Sequence, residues 1–463
     1  MPPQHDRSAL GPRPDGQPDT QRPVATGRAG AAPGARRIAV ITAPNMRFVN
    51  TGMTTVELAA KAAFRRLAPD AALTFYSIVP PNPEGDRRWM MMDLGQVHRS
   101  AREIEAHFRH RPLFEHDAQA FASDLIVYWG DFLQARHYVE DEAAGRLRAL
   151  YGLSAEQACS FAYHALLQSD AAPETRHKTV VFGSSLLYNR VADYVAGEYG
   201  QALRRLLRTS KLSAFRDPLS AQRAAHLSGD YATNHLGIDP AFLLEPGDLH
   251  ELPAGVWAAA LQPRSSIGLF FGARTALPDW LFPLCEALAS NLGSRLEWLP
   301  WFPYHEILRE RPRPRRSLFS RRKGVDLLDR IERLLPRGDD YSQGDLLRAL
   351  RKYRVVITDT YHLCINAWRA GTPAVCFGSA ADPGNQVIRD FKKRVLYEMY
   401  DAGDYYLDVS ALSTRSASEA TARRLSGLLQ DDSQAALVRA RISAHTQAVR
   451  QRLQSAVGEL AAH

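Results

Sequence analysis

The feature that most limits the possible folds of this chain is a repeated alternation of short apolar runs and helical segments. The first run, RIAVIT, is rich in β-branched residues and leads into a polar loop. Residues 54–69 then have apolar residues at helical spacing, namely Val56, Leu58, Ala59, Ala63 and Leu67, and a second strand-like run follows at 72–80. Strands joined through a helix are parallel, so this order predicts an α/β sheet.

The same order continues through two halves of the chain. The first half adds predicted strands at 123–132, at 178–187 and near residue 213, where Asp217-Pro218 begins a helix. The second half contains predicted strands at 264–273, 294–303, 354–359 and 373–378, with helices at 278–292, 339–350 and 360–370. We therefore predict two Rossmann-like domains that face each other across a cleft. Their predicted boundaries are 37–248 and 249–411, after a disordered tail at 1–36 and before a broken helical segment at 412–463.

Bulk composition excludes several classes of protein. The chain has 463 residues, 45% of them hydrophobic, which suffices for two large cores. It contains no apolar run of the length needed to cross a membrane, and its first residues lack the apolar segment of a secretory signal. The four cysteines are widely spaced and form no CxxC pair, which argues against a disulfide framework or a zinc site. A reducing cytoplasm is the location that this pattern predicts.

The positive net charge is confined to two segments. The chain carries +8, of which residues 1–37 contribute +3 and the stretch RERPRPRRSLFSRRK at 309–323 contributes +7. The remainder therefore carries −2, which argues against a broad nucleic-acid surface. The segment 309–323 is interrupted by proline. It is either a solvated loop or a contact for an anionic donor or for the inner face of an anionic membrane. The sequence leaves the oligomeric state open.

The stretch TDTYHLCINAWRAGTP, residues 358–373, has the pattern of a site at a strand–helix junction. Ligands of parallel sheets bind beyond the carboxyl ends of strands, and Asp359 lies at such an end. The helix should begin after Thr360 and end near Arg369, with Gly371 as its stop. Its polar face carries His362, Asn366 and Arg369, and its apolar face carries Leu363, Ala367 and Ala370.

His362 is predicted to lie in the first turn of this helix. Free N–H groups and the positive end of the helix dipole attract anions there, and the dipole lowers the pKa of an imidazole. This pattern predicts a proton-transfer group beside an anion site. The alternative is a simple helix cap with a buried structural histidine, and the residues alone do not decide between the two.

Several segments carry a family resemblance. The stretch VVITDTYHLCINAWRAGTPAVCFG resembles the signature of the polysaccharide pyruvyl transferase family: a strand, Thr/Ser-Asp-Arg-x-His-Gly, a helix, Gly-x-Pro and a strand. The segments VNTGMTTVEL, DLIVYWGDF, AFRDPLS and GIDPAFLL resemble further parts of that family, in the same order. The matches run roughly from Ile38 to Gly378.

The resemblance implies a GT-B-like fold and transfer of a pyruvyl group, as a ketal, from phosphoenolpyruvate to the sugar hydroxyls of a cell-surface glycan or its precursor. We predict no cofactor beyond this donor. The sequence has no metal motif and no DxD-type pair of carboxylates at a strand end, which favours transfer without a metal. Carried over by position, His362 is the acid/base candidate. Arg216 is an anion-binding candidate, because the reaction needs cations for carboxylate and phosphate.

The sequence departs from the family pattern at three positions. Thr360 stands in place of the arginine, Leu363 in place of the glycine after histidine, and Asp131 in place of the second glycine of a Gly-Gly segment. Loss of a bidentate arginine weakens an anion site unless another cation replaces it, and the candidates in the sequence are Arg354, Arg369 and the basic segment at 309–323. Two alternatives therefore remain: a nucleotide-sugar-dependent glycosyltransferase on the same fold, and a non-catalytic glycan- or anion-binding protein.

The other candidates follow strands whose ends should face the cleft. Asp131 is either a base for an acceptor hydroxyl or a helix cap. Arg216 and Asp217 could also form an internal ion pair, and Asp239 before Pro240 reads as a structural turn. Asn366 and Arg369, on the polar face of the helix at 360–370, are also predicted to bind substrate. The remaining predicted substrate-binding residues, each of which could equally be an ordinary turn residue, are Asn50, Gly52, Gly130, Ser184, Asp359, Thr360, Gly378 and Ser379.

Overall fold

The computed structural model describes most of the chain. The described residues are 35–43, 51–78, 108–195, 197–252, 263–271, 280–299, 301, 343–379, 386–412 and 414–461. Asn50, the basic segment 309–323 and residues 1–34 of the predicted tail lie outside the described residues. Among the helices that are described, none has both the length and the apolar character needed to cross a membrane.

The described residues of the first half of the chain form a parallel sheet of seven strands, in the order β3-β2-β1-β4-β5-β6-β7. The order reverses between β1 and β4, so loops diverge at their carboxyl ends and leave a crevice there. The strands are β1 (Arg37–Thr42), β2 (Ala72–Ser77), β3 (Arg111–Pro112), β4 (Leu125–Trp129), β5 (Thr179–Ser184), β6 (Leu212–Phe215) and β7 (Asn234–Leu236).

Helices cover both faces of this sheet, as a parallel sheet requires. Residues 37–252 are called the first lobe. Its helices are α1 (Thr51–Leu67), α2 (Leu113–Phe121), α3 (Ala144–Tyr151), α4 (Ala155–Leu167), α5 (Pro173–His177), α6 (Ala192–Val195), α7 (Gly197–Thr209) and α8 (Pro218–Ser228), with a π-helical turn at Tyr138–Ala143 and 3₁₀ turns at Pro240–Leu243 and Pro246–Glu251.

In the second half, the part of the chain that the structure describes forms a parallel sheet of five strands, in the order β12-β11-β10-β8-β9. Its order reverses between β8 and β10, which places a second crevice at the carboxyl end of β10. Residues 263–412 are called the second lobe. Its strands are β8 (Ser266–Phe270), β9 (Arg295–Trp298), β10 (Val355–Thr358), β11 (Ala374–Gly378) and β12 (Tyr406–Asp408). The prediction of two parallel α/β sheets is confirmed.

The helices of the second lobe include the one predicted from the stretch at 358–373. They are α9 (Leu281–Leu292), α10 (Gln343–Ala349), α11 (Tyr361–Arg369) and α12 (Gln386–Met399), with 3₁₀ turns at Leu350–Lys352, Gly403–Tyr405 and Val409–Ala411. The sequence pattern assigned no element to α12, although residues 387, 388, 391, 395, 396 and 399 are apolar at helical spacing.

The C-terminal segment is helical and broken, as predicted. Helix α13 (Arg415–Gln430) packs on α9 of the second lobe, and α14 (Ser433–Ala461) begins after a short break. Helix α14 contacts both lobes. Arg450 and Arg452 donate to the carbonyl oxygens of Leu243 and Leu236 in the first lobe, and His445 lies 3.1 Å from the hydroxyl of Tyr400 in the second.

The alternation of side chains along β1 shows how the core holds the lobes together. Ala39 and Ile41 point to one face of the first sheet and belong to a cluster of their own. Ile38 and Val40 point to the other face, where the buried cluster continues through α1 into the second sheet and α11. Apolar burial contributes about 25 cal/mol per Å². This continuous core therefore stabilises the contact that brings the ends of β4, β6 and β10 together.

Candidate functional site

The site is built around the start of helix α11 in the second lobe. Strand β10 ends at Thr358, Asp359 is fully buried, and Thr360 is the N-cap residue of α11. The helix ends at Arg369, and Gly371 adopts a left-handed φ of 83°. Only glycine enters that region without strain, which explains the sharp stop. The predicted bounds of this helix are therefore confirmed, and His362 lies in its first turn.

The backbone of α1, in the first lobe, lies in direct contact with His362. A Cβ atom added to Gly52 in α1 would lie 2.3 Å from Cβ of His362 and 2.9 Å from its Nδ1. No side chain fits at such distances, so glycine is what permits α1 to approach the imidazole. Gly52 was predicted as a ligand-contact residue; the structure places it against the histidine instead, and ligand contact stays a prediction.

A buried ion pair from the first lobe faces the same imidazole. Arg216 follows β6, and its Nη1 donates to Oδ2 of Asp239 at 3.2 Å. Nε2 of His362 lies 3.9 Å from that same carboxylate oxygen. The side chains of Arg216 and Asp239 are 2% and 1% exposed, and that of His362 is 12% exposed. Two strand ends from different lobes thus bring a cation and a titratable base together.

Two aromatic rings and a second cation complete the cluster. Cζ of Arg216 lies 4.6 Å from the ring centroid of Phe132 and 5.1 Å from that of Tyr361. Nζ of Lys392, on helix α12, lies 5.3 Å and 5.1 Å from the same two centroids. Such positions are favourable because the ring faces are electronegative. The rings therefore hold both cations at the point where the lobes meet.

The electrostatic surroundings keep His362 neutral. Burial, followed by the charges of Arg216 and Lys392, holds the pKa of the imidazole well below its usual range. Burial raises the pKa of Asp239, although Arg216 opposes the shift. The unligated site therefore holds two cations and an uncharged imidazole, with the Asp239 carboxyl group paired to one of the cations.

Asp131, the first residue after the Gly130 turn that follows β4, lies within reach of the same charges. Burial raises the pKa of its carboxyl group, while Arg216 and Lys392 act in the opposite direction. Its φ is 52°, a left-handed conformation that aspartate and asparagine tolerate better than most residues. A carboxylate of raised pKa is a stronger base, which is the property needed to take a proton from a hydroxyl group.

Two buried polar atoms in this cluster lack a hydrogen-bond partner among the described residues. They are Nη2 of Arg216 and Nε2 of His362, one from each lobe. A buried polar group without a partner costs about 1–3 kcal/mol. Their convergence from two lobes at the ends of strands makes this cluster the candidate ligand site.

The other predicted residues of α11 lie along the contact between the lobes. Asn366 is fully buried; its Nδ2 donates to Oγ1 of Thr55 in α1 at 3.1 Å and to the carbonyl of His362. Arg369 donates to Oδ1 of Asn366, and burial lowers the pKa of its guanidinium to about 10. The polar face of α11 therefore joins the lobes, and only its first turn reaches the cluster. A binding role for Asn366 and Arg369 stays a prediction.

The remaining predicted residues also follow strand ends. Ser184 is fully buried and accepts the backbone N–H of Arg216 on its carbonyl, whereas its Oγ has no partner among the described residues. Gly130 has a φ of 74° and lies against Val56 of α1.

Thr360 and the residues after β11 are held by local hydrogen bonds. Oγ1 of Thr360 donates to Oδ1 of Asp359 at 3.2 Å. A Cβ on Gly378 would lie 2.2 Å from the Tyr406 hydroxyl oxygen, and the N–H of Ser379 donates to Asp390 on α12. Asn50, also predicted, is not among the described residues.

Sequence reasoning missed three contributors to the cluster. It gave Asp239 a turn role, read Phe132 only as part of a strand segment, and gave Lys392 no role. The apolar spacing of residues 387–399 could have revealed α12, and hence a helix directly after the end of β11. No local signal could show that Lys392 and Arg216 contact the same rings.

We expect Asp131→Asn to keep or raise stability at neutral pH while lowering any activity that uses the carboxylate as a base. Because folding raises the pKa of Asp131, its stabilising contribution is complete below the unfolded pKa and is lost as pH rises through the folded pKa. The measurement is thermal unfolding of wild type and Asp131→Asn between pH 4 and 8. The Tm of the variant minus the Tm of wild type should increase with pH.

Asp131→Ala is the matched control, since alanine also removes the charge but adopts the left-handed backbone less readily, at a cost of about 1–2 kcal/mol. A Tm difference for Asp131→Asn that shrinks as pH rises would contradict the assignment of a raised pKa.

Comparison with solved structures finds proteins of low sequence identity, with TM-scores below 0.5 for those named here. LpCGTa in complex with UDP has 15% identity and a TM-score of 0.45, covering 92% of this chain and 99% of that chain. Os79 from O. sativa in complex with UDP has 13% identity and a TM-score of 0.46, covering 91% and 100%. MnaA from S. aureus, with UDP, has 9% identity and a TM-score of 0.41, covering 87% and 90%. A search of curated proteins gave no match.

The sequence itself matches the description of one protein family. The model of the polysaccharide pyruvyl transferases matches residues 58–380. That range contains His362, Arg216, Asp131 and Asp239, and it ends before Lys392. A match over more than half of the chain, beside two parallel α/β sheets, places it among transferases. The chain belongs to the polysaccharide pyruvyl transferase family.

Proposed function

We propose that this protein transfers a pyruvyl group from phosphoenolpyruvate to hydroxyl groups of a sugar in a cell-surface glycan or its precursor, forming a ketal. The observation that carries the proposal is the convergence of Arg216 and His362 from opposite lobes, each with a buried nitrogen that lacks a partner among the described residues. An anionic donor between the lobes would supply hydrogen-bond acceptors to such atoms.

The reaction requires two proton movements that this cluster can support. A proton adds to the methylene carbon, C3, of the enolpyruvyl group, and C2 becomes an electron-poor, oxocarbenium-like centre. One acceptor hydroxyl oxygen bonds to C2 and loses its proton, phosphate leaves with the C2–O bond electrons, and a second hydroxyl closes the ketal. Of the two protons released by the acceptor hydroxyl groups, one is balanced by the proton added to the new methyl group and the other leaves on phosphate. The overall reaction therefore needs no oxidant or reductant.

Each charged residue has a role that follows from its position. The Arg216 guanidinium, fixed by Asp239 and by the ring of Phe132, holds the carboxylate or phosphate of the donor through charge-assisted hydrogen bonds. His362 delivers the proton to C3 of the donor. Asp131, whose carboxyl pKa is raised by burial, accepts the proton of the acceptor hydroxyl.

His362 must gain a proton before it can act as the acid. Burial and two neighbouring cations keep it neutral in the unligated protein. A bound donor carries a phosphate and a carboxylate, and their negative charge offsets that of the cations and raises the pKa of the imidazole. Donor binding would therefore charge the catalytic acid, so that the imidazolium forms only when substrate is present.

We expect phosphoenolpyruvate binding to take up a proton from solution. Isothermal titration calorimetry in two buffers with different ionisation enthalpies, at the same pH near 7, should give observed heats that differ in proportion to the protons taken up. His362→Asn should reduce the uptake by more than half, because its side chain does not titrate in this range. Identical uptake in the variant would assign the proton elsewhere and contradict the role of His362.

Donor identity is tested by thermal unfolding with phosphoenolpyruvate and with UDP-, GDP- and CMP-sugars in parallel. A ligand at 100 times its dissociation constant adds about 2.7 kcal/mol of stability. The proposal expects this shift with phosphoenolpyruvate, followed by release of inorganic phosphate and by ketal formation on a sugar acceptor, detected by mass spectrometry. Stabilisation by a nucleotide sugar and none by phosphoenolpyruvate would overturn it in favour of glycosyl transfer.

The glycan acceptor and the cytoplasmic location are supported more indirectly. The family is described by its action on polysaccharides, which supports a sugar acceptor for this chain. The four cysteines Cys159, Cys285, Cys364 and Cys376 are free thiols, which fits the reducing compartment that their spacing predicts.

A further inference from the structure

Position 360 contributes no positive charge to the site. The residue there is Thr360, whose Oγ1 donates to Asp359 and whose N–H donates to Oγ1 of Thr358. Its side chain is thus engaged within its own strand–helix turn. A donor with a phosphate and a carboxylate has two anionic groups. With an uncharged residue at position 360, Arg216 alone would have to bind both groups, so we expect a second cation nearby.

Lys392 is the second cation at this point of the fold. Its Nζ lies 5.3 Å from the Phe132 centroid and 5.1 Å from the Tyr361 centroid, the same two rings that Arg216 contacts. Phe132 follows β4 in the first lobe, and Tyr361 opens α11 in the second. Lys392 is therefore adjacent to residues of both lobes, even though it lies on a helix outside the sequence range that the family matches.

The remainder of α12 fixes the direction in which Lys392 points. Asp390 accepts the N–H of Ser379, which ties the helix to the carboxyl end of β11. The next lysine, Lys393, is buried and donates to Oδ1 of Asp390 at 2.6 Å. With Lys393 directed inward by this ion pair, the side chain one residue earlier lies on an adjacent face of the helix, and there it reaches the rings.

The charge of Lys392 acts on both proposed proton-transfer groups. It lowers the pKa of His362, after burial and Arg216, and it opposes the rise in the pKa of Asp131. A nearby positive charge acts in this direction on both groups, and the ring contacts place the ammonium group beside the site.

We propose that Lys392 is an anion-binding residue that, with Arg216, holds the phosphate and carboxylate of the donor, and that it supplies the positive charge absent at Thr360. This inference rests on the proposed function for the identity of the donor. The chemistry that it requires is a small molecule with two anionic groups, which the ammonium and guanidinium groups contact from the side of the two rings.

The experiment compares Lys392→Gln and Lys392→Arg with the matched control Arg394→Gln. Arg394 lies on the same helix, is about half exposed and pairs with Glu398 at the surface, so its replacement removes the same charge away from the site. Calorimetry with phosphoenolpyruvate and with inorganic phosphate should show affinity for each lowered about 10–100-fold in Lys392→Gln, the range of one charge-assisted hydrogen bond. Lys392→Arg should stay within a few-fold of wild type.

A second readout does not depend on turnover. The pKa of His362, followed by NMR and assigned by loss of its signal in His362→Asn, should rise in Lys392→Gln because one of its three depressing influences is removed. It should not change in Arg394→Gln. A merely structural lysine would change Tm and leave the imidazole pKa in place.

The outcomes separate this inference from the proposed function. If wild type binds phosphate in a Lys392-dependent way but responds to UDP-sugars and not to phosphoenolpyruvate, the anion role of Lys392 holds and pyruvyl transfer fails. If Lys392→Gln binds phosphoenolpyruvate and phosphate as wild type does, or if wild type binds neither anion, the assignment of Lys392 is overturned whatever the donor is.

Discussion

Replacing His362 with asparagine is expected to lower kcat by about 10²–10⁴-fold, the usual contribution of a general acid or base. Asparagine keeps the Cβ that packs against Gly52 and keeps hydrogen-bonding atoms, but it cannot carry the proton. Tm near pH 7.5 should change little. The imidazole is already neutral there, and its Nε2 has no partner among the described residues to lose.

The pH dependence of stability gives the same variant a second signature. Folding lowers the pKa of His362, so its contribution to stability is present above the unfolded pKa and is lost as pH falls through the folded pKa. His362→Asn should therefore lose less stability than wild type as pH is lowered below about 6.5, the unfolded pKa of histidine.

His235→Asn is the matched control, because burial also lowers the pKa of His235, on β7 and outside the cluster. That variant should share the weaker acid sensitivity while keeping full turnover. A His362→Asn protein with wild-type kcat would end the catalytic assignment. A large drop in its Tm at pH 7.5 would instead identify a structural histidine.

Local patterns in the sequence predicted those parts of the fold that local physics determines. The bounds of α11 follow from its N-cap position, from its apolar face and from Gly371, all within 12 residues. Asp217 before Pro218 likewise begins α8, with Oδ1 of Asp217 accepting the N–H of Ser220. Because the carboxyl ends of parallel strands carry ligands, Arg216 and His362 could be selected as candidates before their positions were known.

Local sequence patterns could not predict the contacts between the two lobes. Asn366 was expected on a ligand-facing surface of α11, yet its amide bonds to Thr55, 311 residues earlier. Gly52 was expected at a ligand and lies against His362. Such contacts depend on how two separately patterned domains pack, and helical periodicity specifies only that a face is polar, not what that face meets.

The missed lysine illustrates the same limit at shorter range. Apolar periodicity could have identified α12, but that segment contains two adjacent lysines, Lys392 and Lys393, and the pattern does not show which of them faces the site. Only the ion pair of Lys393 with Asp390, and the bond from Ser379 to that aspartate, decides which lysine points inward. The choice depends on tertiary hydrogen bonds between α12 and the end of β11.

Arg216→Met is expected to lower the free energy of unfolding by about 3–5 kcal/mol, the usual effect of removing one partner of a buried ion pair. Methionine fills most of the volume next to Phe132 but leaves Asp239, whose side chain is 1% exposed, without its counter-charge. Donor binding should be lost as well, because the guanidinium is the main cation from the first lobe at the site.

The double variant Arg216→Met/Asp239→Asn separates the charge effect from the packing effect. Asparagine retains an oxygen that can accept the N–H of Ala241, as Oδ1 of Asp239 does, so the cap of the 3₁₀ turn at Pro240–Leu243 is preserved. If the penalty arises from an uncompensated carboxylate, the double variant should recover much of the stability lost in Arg216→Met. It should not recover donor binding.

The sign of the pH dependence provides the decisive measurement. Burial already raises the pKa of Asp239, with Arg216 opposing the shift, so removing the arginine raises it further. A carboxyl group whose folded pKa is raised stabilises the fold below its unfolded pKa and loses that contribution as pH rises through the folded pKa. Chemical unfolding should therefore show Arg216→Met closest to wild type near pH 5 and increasingly weaker toward pH 8. The loss of unfolding free energy in Arg216→Met could instead be the same at both pH values, or could persist in the double variant. Either result would mean that Arg216 stabilises the fold by packing against the two rings, and that its charge serves only to bind the ligand.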